Sequence, residues 1–208
     1  MQILAGQFKG RRLLGPKGAR TTRPITAAVR KSLFDILAGR LDRAVVVDLF
    51  SGTGTIGLEA LSRGAAMCCF AERDGVALAR LRRNIRTVGA GERSLVWAGD
   101  VLAGLAGRLA GLGRAVDVAF VDPPYALSRT WSWRDAAGRI FAPLADALAD
   151  DGTVVLRTDV SATVPRNVAA LALERIKRYG DMQLAFLGLS GPGRQSRPHA
   201  ADRDTDHG

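Results

Sequence analysis

The stretch VDPPYAL, Val121 to Leu127, follows the apolar run AVDVAF and gathers a carboxylate, two prolines and an aromatic ring. Consecutive prolines end a strand, since neither donates to a ladder and the residue before a proline is pushed out of helix. A strand that only had to stop would need neither Asp122 nor Tyr125. Together the residues suit chemistry on a planar exocyclic amine. The lone pair of such an amine is delocalised into its ring, so attack on an electrophile requires the nitrogen to pyramidalise. Two acceptors aimed at its hydrogens, the Asp122 carboxylate and the Pro123 carbonyl, favour that geometry, and Pro123 and Pro124 keep the backbone from drifting. Preorganised acceptors of this kind act on the transition state more than on the ground state. Tyr125 can stack on the base and hold it in line. Taken alone, the tetrapeptide also reads as a structural turn with an incidental aromatic.

The electrophile is indicated upstream. VVVDLFSGTGTIGLEAL places Gly52, Gly54 and Gly57 in a GxGxxG set between a strand and a helix, a pattern shared with dinucleotide-binding turns. Asp48 discriminates, because a carboxylate in that turn repels a pyrophosphate and attracts a cation. S-adenosylmethionine carries a sulfonium and an ammonium and no phosphate. Glu72 ends the next strand, where it can accept from ribose hydroxyls. Asp100 ends the third, where it can accept from an adenine amino group. Each acid alone reads as a helix cap or a solvated strand end. Three at successive strand ends beside a glycine turn point to a donor site.

The elements that must position these residues follow from patterning. From Ala44 onward the apolar runs AVVVDLF, MCCFAE, SLVWAGD, VDVAFVD and TVVLRT alternate with helix-like stretches rich in Ala, Leu and Arg. That alternation predicts a parallel sheet covered by helices. Residues 174–187, ERIKRYGDMQLAFL, predict a terminal antiparallel hairpin. Residues 2–14 predict a short hairpin. Residues 26–39 predict a helix with Thr26 as N-cap, a stripe of Val29, Leu33, Ile36 and Leu37, and Gly39 after it. We divide the chain into a basic extension, 1–43, a catalytic domain, 44–187, and a disordered tail, 188–208.

Ten Lys and Arg against two acids give residues 1–43 a net charge of +8, out of +10 for the whole chain. Such a concentration is the footprint of a phosphate-backbone binder. Candidate RNA-binding residues there are Lys9, Arg11, Arg12, Arg23, Thr26 and Arg30. Both histidines, His199 and His207, fall in the tail, which disfavours histidine-based nucleophilic or metal chemistry, and no metal ligands are assigned. Cys68 and Cys69 read as core packing. No apolar run approaches the roughly 20 residues of a membrane span, and the opening MQILAGQFKGRR lacks a signal core. A cytoplasmic protein is expected.

DLFSGTGTIGLEALSRGA followed by FVDPPY resembles the class I amino-methyltransferases. ILAGQFKGRRL, TRPITAAVRKSLFDIL and RYGDMQLAFL make the chain similar, over residues 2–187, to the RsmD family of 16S rRNA guanine-N2 methyltransferases. The resemblance implies a Rossmann-like, seven-stranded, mostly parallel sheet with one antiparallel strand. It also implies an S-adenosylmethionine cofactor and methylation of one guanine in the head of the small ribosomal subunit. Asp48, Phe50, Ser51, Gly52, Gly54, Gly57, Glu72, Asp100 and Val101 fall in its donor-binding region, and Asp122 to Tyr125 match its catalytic motif. The implied partner is 16S rRNA, naked or within a small-subunit assembly intermediate, met by a monomer away from any membrane. Ile25, Lys31 and Gln2 depart from the family pattern, in the RNA-facing and helix-entry region rather than the methyl-transfer site. Two other readings use the same motifs: methylation of adenine N6 or cytosine N4 in DNA or of a protein glutamine, and a non-catalytic RNA-binding module.

Overall fold

The structure, a computed structural model, describes residues 1–16, 25–124 and 132–191. Arg23, Tyr125 and Trp131 lie outside the described residues, as does most of the tail. Eight strands form one sheet: β1 (Val45–Leu49), β2 (Met67–Glu72), β3 (Ser94–Ala98), β4 (Val116–Val121), β5 (Leu148–Asp159), β6 (Asn167–Val168), β7 (Leu171–Tyr179) and β8 (Met182–Leu189). Their order is β3-β2-β1-β4-β5-β8-β7-β6. The first five strands run parallel, and β8 enters antiparallel between β5 and β7. The count exceeds the expected seven by β6, a two-residue strand pairing antiparallel with β7. Two residues are too few to display an alternating pattern. The terminal hairpin forms as predicted, turning through Gly180 at φ +59°. Because β8 extends to Leu189, the tail boundary set at 188 falls inside the last strand.

The helices are α1 (Ala27–Ile36), α2 (Thr55–Ser62), α3 (Gly75–Val88), α4 (Leu105–Ala110), α5 (Trp133–Ala136) and α6 (Ala142–Ala147), with a π-helical segment, Ala137–Phe141, between the last two. β1 is buried along its whole length, as a central parallel strand covered on both faces must be. Alternate residues serve two cores. Val46 joins the cluster with Leu33, Phe34, Leu58, Phe70 and Leu81. Val47 and Leu49 join the one with Leu105, Ile140, Phe141 and Leu144. Period-two alternation therefore turns Asp48 toward α2 and α3. Thr26 caps α1 as predicted, its Oγ1 accepting from Val29 N at 3.3 Å.

The N-terminal hairpin forms as a short one around the antiparallel bridge of Gln2 with Arg12: Ile3 N donates to the Arg11 carbonyl at 3.0 Å, Gly10 N to the Ile3 carbonyl at 2.9 Å and Leu13 N to the Met1 carbonyl at 2.7 Å. Its backbone also binds α2: Leu4 N and Ala5 N donate to the Glu59 carboxylate at 2.8 and 3.1 Å, and Phe8 N donates to Ser62 Oγ at 2.9 Å. Gly6 makes this approach possible, since a Cβ there would sit 1.8 Å from the Ser62 carbonyl oxygen, at φ +80°. Ile3 and Leu13 are buried in the first cluster, so the extension shares the catalytic domain's core. No helix among the described residues is long and apolar enough to cross a membrane.

Candidate active site

The strand order reverses between β1 and β4, and ligands of open α/β sheets bind at the carboxyl ends beside such a point. A cavity of about 630 Å³ opens there, within the range of small-molecule sites. Its walls include Asp48, Phe50, Ser51, Gly52, Glu72, Asp100, Val101, Asp122 and Pro124. Other residues of that wall, which the sequence reading did not assign to the site, include Met1, Pro16, Ile25, Thr55, Arg80 and Arg157.

Asp48 is 1% exposed and its Oδ2 accepts from Gly57 N at 3.0 Å. Burial pushes its carboxyl up to about 8, the Gly57 amide opposes, and the charges of Asp122 and Glu72 push further. Glu72 is more heavily committed than expected: Gly52 N donates to Oε2 at 2.7 Å, while Arg73 N and Asp74 N both donate to Oε1 at 2.8 Å. Three of a carboxylate's roughly four acceptor positions are thus filled by the turn itself. Glu72 fixes the glycine loop and keeps about one lone pair for a ligand. Asp100 is exposed and caps its own turn, accepting from Leu102 N at 2.9 Å; Val101 beside it is buried. Phe50 sits at φ +62°, a conformation that costs a non-glycine residue about 1–3 kcal/mol. Ser51 hydrogen-bonds the Ala71 carbonyl through its amide, at 3.0 Å.

The three glycines divide by role. Gly52 borders the cavity and has open space where a Cβ would go. Gly54 and Gly57 do not border it; they let α2 approach its neighbours. A Cβ at Gly54 would lie 2.3 Å from Leu81 Cδ1, and one at Gly57 2.4 Å from Phe70 Cε1. Their assignment to ligand binding is corrected to close packing behind the loop.

At the end of β4, Asp122 pairs with Arg157 from β5, Nε to Oδ1 at 2.6 Å. The side chains are 18% and 7% exposed. Burial raises the Asp122 pKa and the guanidinium opposes it. A buried carboxylate is kept anionic by such a partner, and among the described residues no donor takes its second oxygen. Pro124 lines the cavity, whereas Pro123 is buried and does not, so this geometry does not present Pro123 as the second acceptor. Trp133 stacks on Phe141, ring centroids 6.0 Å apart, which is packing.

Lys9, Arg11, Arg12 and Thr26 are exposed. Arg30 is not. It is 3% exposed, donates to the Gln2 carbonyl and lies 3.8 Å from the Glu59 carboxylate, which also holds Arg63 at 2.9 Å. The RNA-facing role read for Arg30 is therefore corrected to a buried tie between α1, α2 and the N-terminal segment. Ile25, placed by its sequence away from methyl transfer, is 8% exposed and lines the cavity.

The donor set has a definite chemical preference. Five carboxyl groups, Asp48, Glu72, Asp74, Asp100 and Asp122, face three arginines, Arg73, Arg80 and Arg157, on the cavity wall; with Arg157 tied to Asp122, the acidic excess disfavours a diphosphate and favours a cation. Thr55 Oγ1, at the first turn of α2, is buried on the same wall with no hydrogen-bond partner, an unfilled position that a polar ligand can satisfy. The cavity fits a compact cationic nucleoside such as S-adenosylmethionine.

Comparison with known proteins agrees. Residues 1–188 match the model of a family described as conserved hypothetical protein 95. The chain is 32% identical over 186 residues to "Putative rRNA methyltransferase YlbH" of Bacillus subtilis (strain 168), covering 86% of this chain and 94% of that one. It is 32% identical over 185 residues to Ribosomal RNA small subunit methyltransferase D of Escherichia coli (strain K12), covering 88% and 86%. A solved hypothetical protein of Thermus thermophilus superposes with a TM-score of 0.75 at 30% identity, over 91% of this chain and 99% of that chain. The fold is that of a Rossmann-like methyltransferase, and the chain belongs to the conserved hypothetical protein 95 family, the RsmD family its motifs resemble.

Proposed function

We propose that this chain, an S-adenosylmethionine-dependent methyltransferase of ribosomal RNA, methylates the exocyclic N2 amine of one guanine in 16S rRNA. The observation that carries the reading is the Asp122–Arg157 pair on the wall of the cavity that Asp48, Glu72 and Asp100 also line. S-adenosylmethionine, when bound, supplies an electrophilic methyl group on a sulfonium. Asp48, Glu72, Asp100 and the Thr55 hydroxyl are the groups that would hold it. Arg157 fixes Asp122 through one carboxylate oxygen and leaves the other to accept a hydrogen of the substrate amine. That acceptor favours the pyramidal nitrogen that attacks. As the new N–C bond would form, the S–C bond would break and leave a neutral thioether, and the alkylated nitrogen, cationic and acidic, would pass its proton to water or to Asp122 without a strong base. Tyr125 stacks on the base in this reading, and the enzyme acts as a cytoplasmic monomer.

Asp48 makes donor binding pH-dependent. With its carboxyl at about 8, the free cavity holds a proton there at neutral pH. A bound cation favours the anion, so binding expels that proton. Affinity should rise by up to about tenfold per pH unit below 8 and level off above it. Calorimetry of wild type against Asp48→Asn separates this from titration of the ligand's own amine. An identical pH dependence in both proteins would remove Asp48 from the donor site.

The RNA side is tested on the N-terminal segment. Alanine at Lys9, Arg11 and Arg12 together should weaken RNA binding and flatten log K against log salt by about 2, at about 0.7 per contact. Donor affinity should hold, because none of the three lines the cavity. Mass-spectrometric mapping of ribosomal RNA from a deletion strain decides the reading as a whole. Loss of a single N2-methylguanine from 16S rRNA is expected, and loss of a methyladenine or methylcytosine would refute it.

A further inference from the structure

Helix α3, GVALARLRRNIRTV, contains Arg80, Arg82, Arg83 and Arg86 and no acidic residue. Its buried stripe is Leu78, Leu81, Ile85 and Val88, with Asn84 beside it. Arg82, Arg83 and Arg86 point to solvent, and no ion pair among the described residues engages them. By contrast, exposed Lys31 on α1 has Asp35 four residues on, at 2.7 Å. Like charges three and four apart on a helix repel, and here nothing within the helix compensates.

The remaining arginine shows where this charge sits. Arg80 donates to the Gly15 carbonyl at 2.6 Å. Asn84, one turn on, accepts from Leu14 N at 2.8 Å and donates to Leu14 O at 3.0 Å and Thr53 O at 2.9 Å. α3 therefore holds the end, at Leu14 and Gly15, of the segment whose earlier part, docked on α2, carries Lys9, Arg11 and Arg12. Arg80, Arg83 and Arg86 succeed one another at three-residue spacing, so the basic face starts at that segment and runs about 9 Å along the helix. The other end of α3 reaches the cavity, whose wall includes Asp74, Val76 and Ala77.

We propose that the exposed face formed by Arg82, Arg83 and Arg86 is a second phosphate-binding surface for the RNA substrate, gripping backbone that flanks the target nucleotide. The proposal rests on the RNA reading above. Guanidinium forks bind phosphate oxygens bidentately. A surface with three such forks, no carboxylate on its helix and a direct join to the basic N-terminal segment complements a polyanion.

The test replaces all three by glutamine, which keeps helix propensity close to that of arginine. None of the three lines the cavity, so donor affinity and melting temperature should match the wild type. RNA affinity should fall about ten- to a hundredfold near 0.1 M salt, and the salt slope should flatten by about 2. The KM for RNA should rise with kcat at saturating RNA changed only a few-fold. Unchanged slope and KM, in a protein whose wild type methylates ribosomal RNA, overturn this proposal and leave the broader reading standing. A wild type that methylates no ribosomal RNA overturns both. Weaker binding to the assembled particle with unaltered binding to naked RNA assigns the face to a protein contact, and also overturns it.

Discussion

Asp122→Asn should slow methyl transfer by about 10²–10³ while leaving S-adenosylmethionine affinity within a few-fold. The amide keeps the shape of the side chain but lacks the charge that draws the amine hydrogen. Asparagine is the informative replacement. Alanine would remove the carboxylate that pairs with the Arg157 guanidinium, 7% exposed, and stripping one member from a buried pair costs about 3–5 kcal/mol. A loss of activity would then be confounded with a loss of fold. The reciprocal change, Arg157→Met, separates charge from position. Burial already raises the Asp122 pKa and Arg157 opposes that rise. Without Arg157, Asp122 should be protonated at higher pH, so the activity profile should move to alkaline pH with partial recovery at the top of the range. Single-turnover rates across pH measure both effects. A normal rate in Asp122→Asn would exclude this carboxylate as the acceptor.

Gly57→Ala should damage stability and donor binding together. The added methyl would lie 2.4 Å from Phe70 Cε1, 2.6 Å from Cys68 Sγ and 3.0 Å from Asp48 Oδ2. Phe70 and Cys68 are fully buried, so the collision is relieved only by moving α2 away from β2. Overpacking of this kind costs about 1–3 kcal/mol, a fall of about 2–12 °C in melting temperature for a chain of this length. The same shift would lengthen the Gly57 N to Asp48 bond and weaken donor binding by about tenfold. Gly52→Ala is the contrasting case. It meets no atom within 4 Å and is opposed only by its φ of +56°, about 1–2 kcal/mol. Thermal melts and calorimetry of both variants test the division of roles. Equal effects would mean that loop conformation, not packing behind the loop, sets the requirement for glycine.

The parts of the site legible in the sequence share one property: each is marked by a local pattern. Asp48, Glu72 and Asp100 end apolar runs, and Thr26 precedes a helical stripe, so their places follow from short-range rules. Arg157 is different. It stands inside TVVLRT, and only the strand order brings β5 beside β4 and Asp122. Its signal is the one cation of β5, following the apolar run of Val154 to Leu156, which requires a partner without identifying it. Arg30 misleads for a related reason. Charge suggests solvent, but the position after Val29 turns inward once Glu59 and Gln2 are placed by tertiary packing. Gly54 and Gly57 read as ligand contacts because the motif reports where glycine is needed, and not which side of the loop needs it. The hairpin expected at residues 2–14 forms through local backbone bonds, but its docking on α2 was not legible, because Glu59 and Ser62 are brought to it only by tertiary packing.

That docked segment also bears on how the chain folds. Leu4 and Ala5 await Glu59, 55 and 54 residues later, and Leu14 awaits Asn84, 70 residues later. The segment's own backbone bonds close a local hairpin, whereas these contacts tie it to helices far along the chain. Closing loops of this length is entropically opposed until the contacts at their ends exist. Ile3 and Leu13 are therefore expected to reach their buried places only once those helices are packed. Because Asn84 holds both Leu14 and Thr53, docking of the segment and setting of the glycine loop are expected to be coupled.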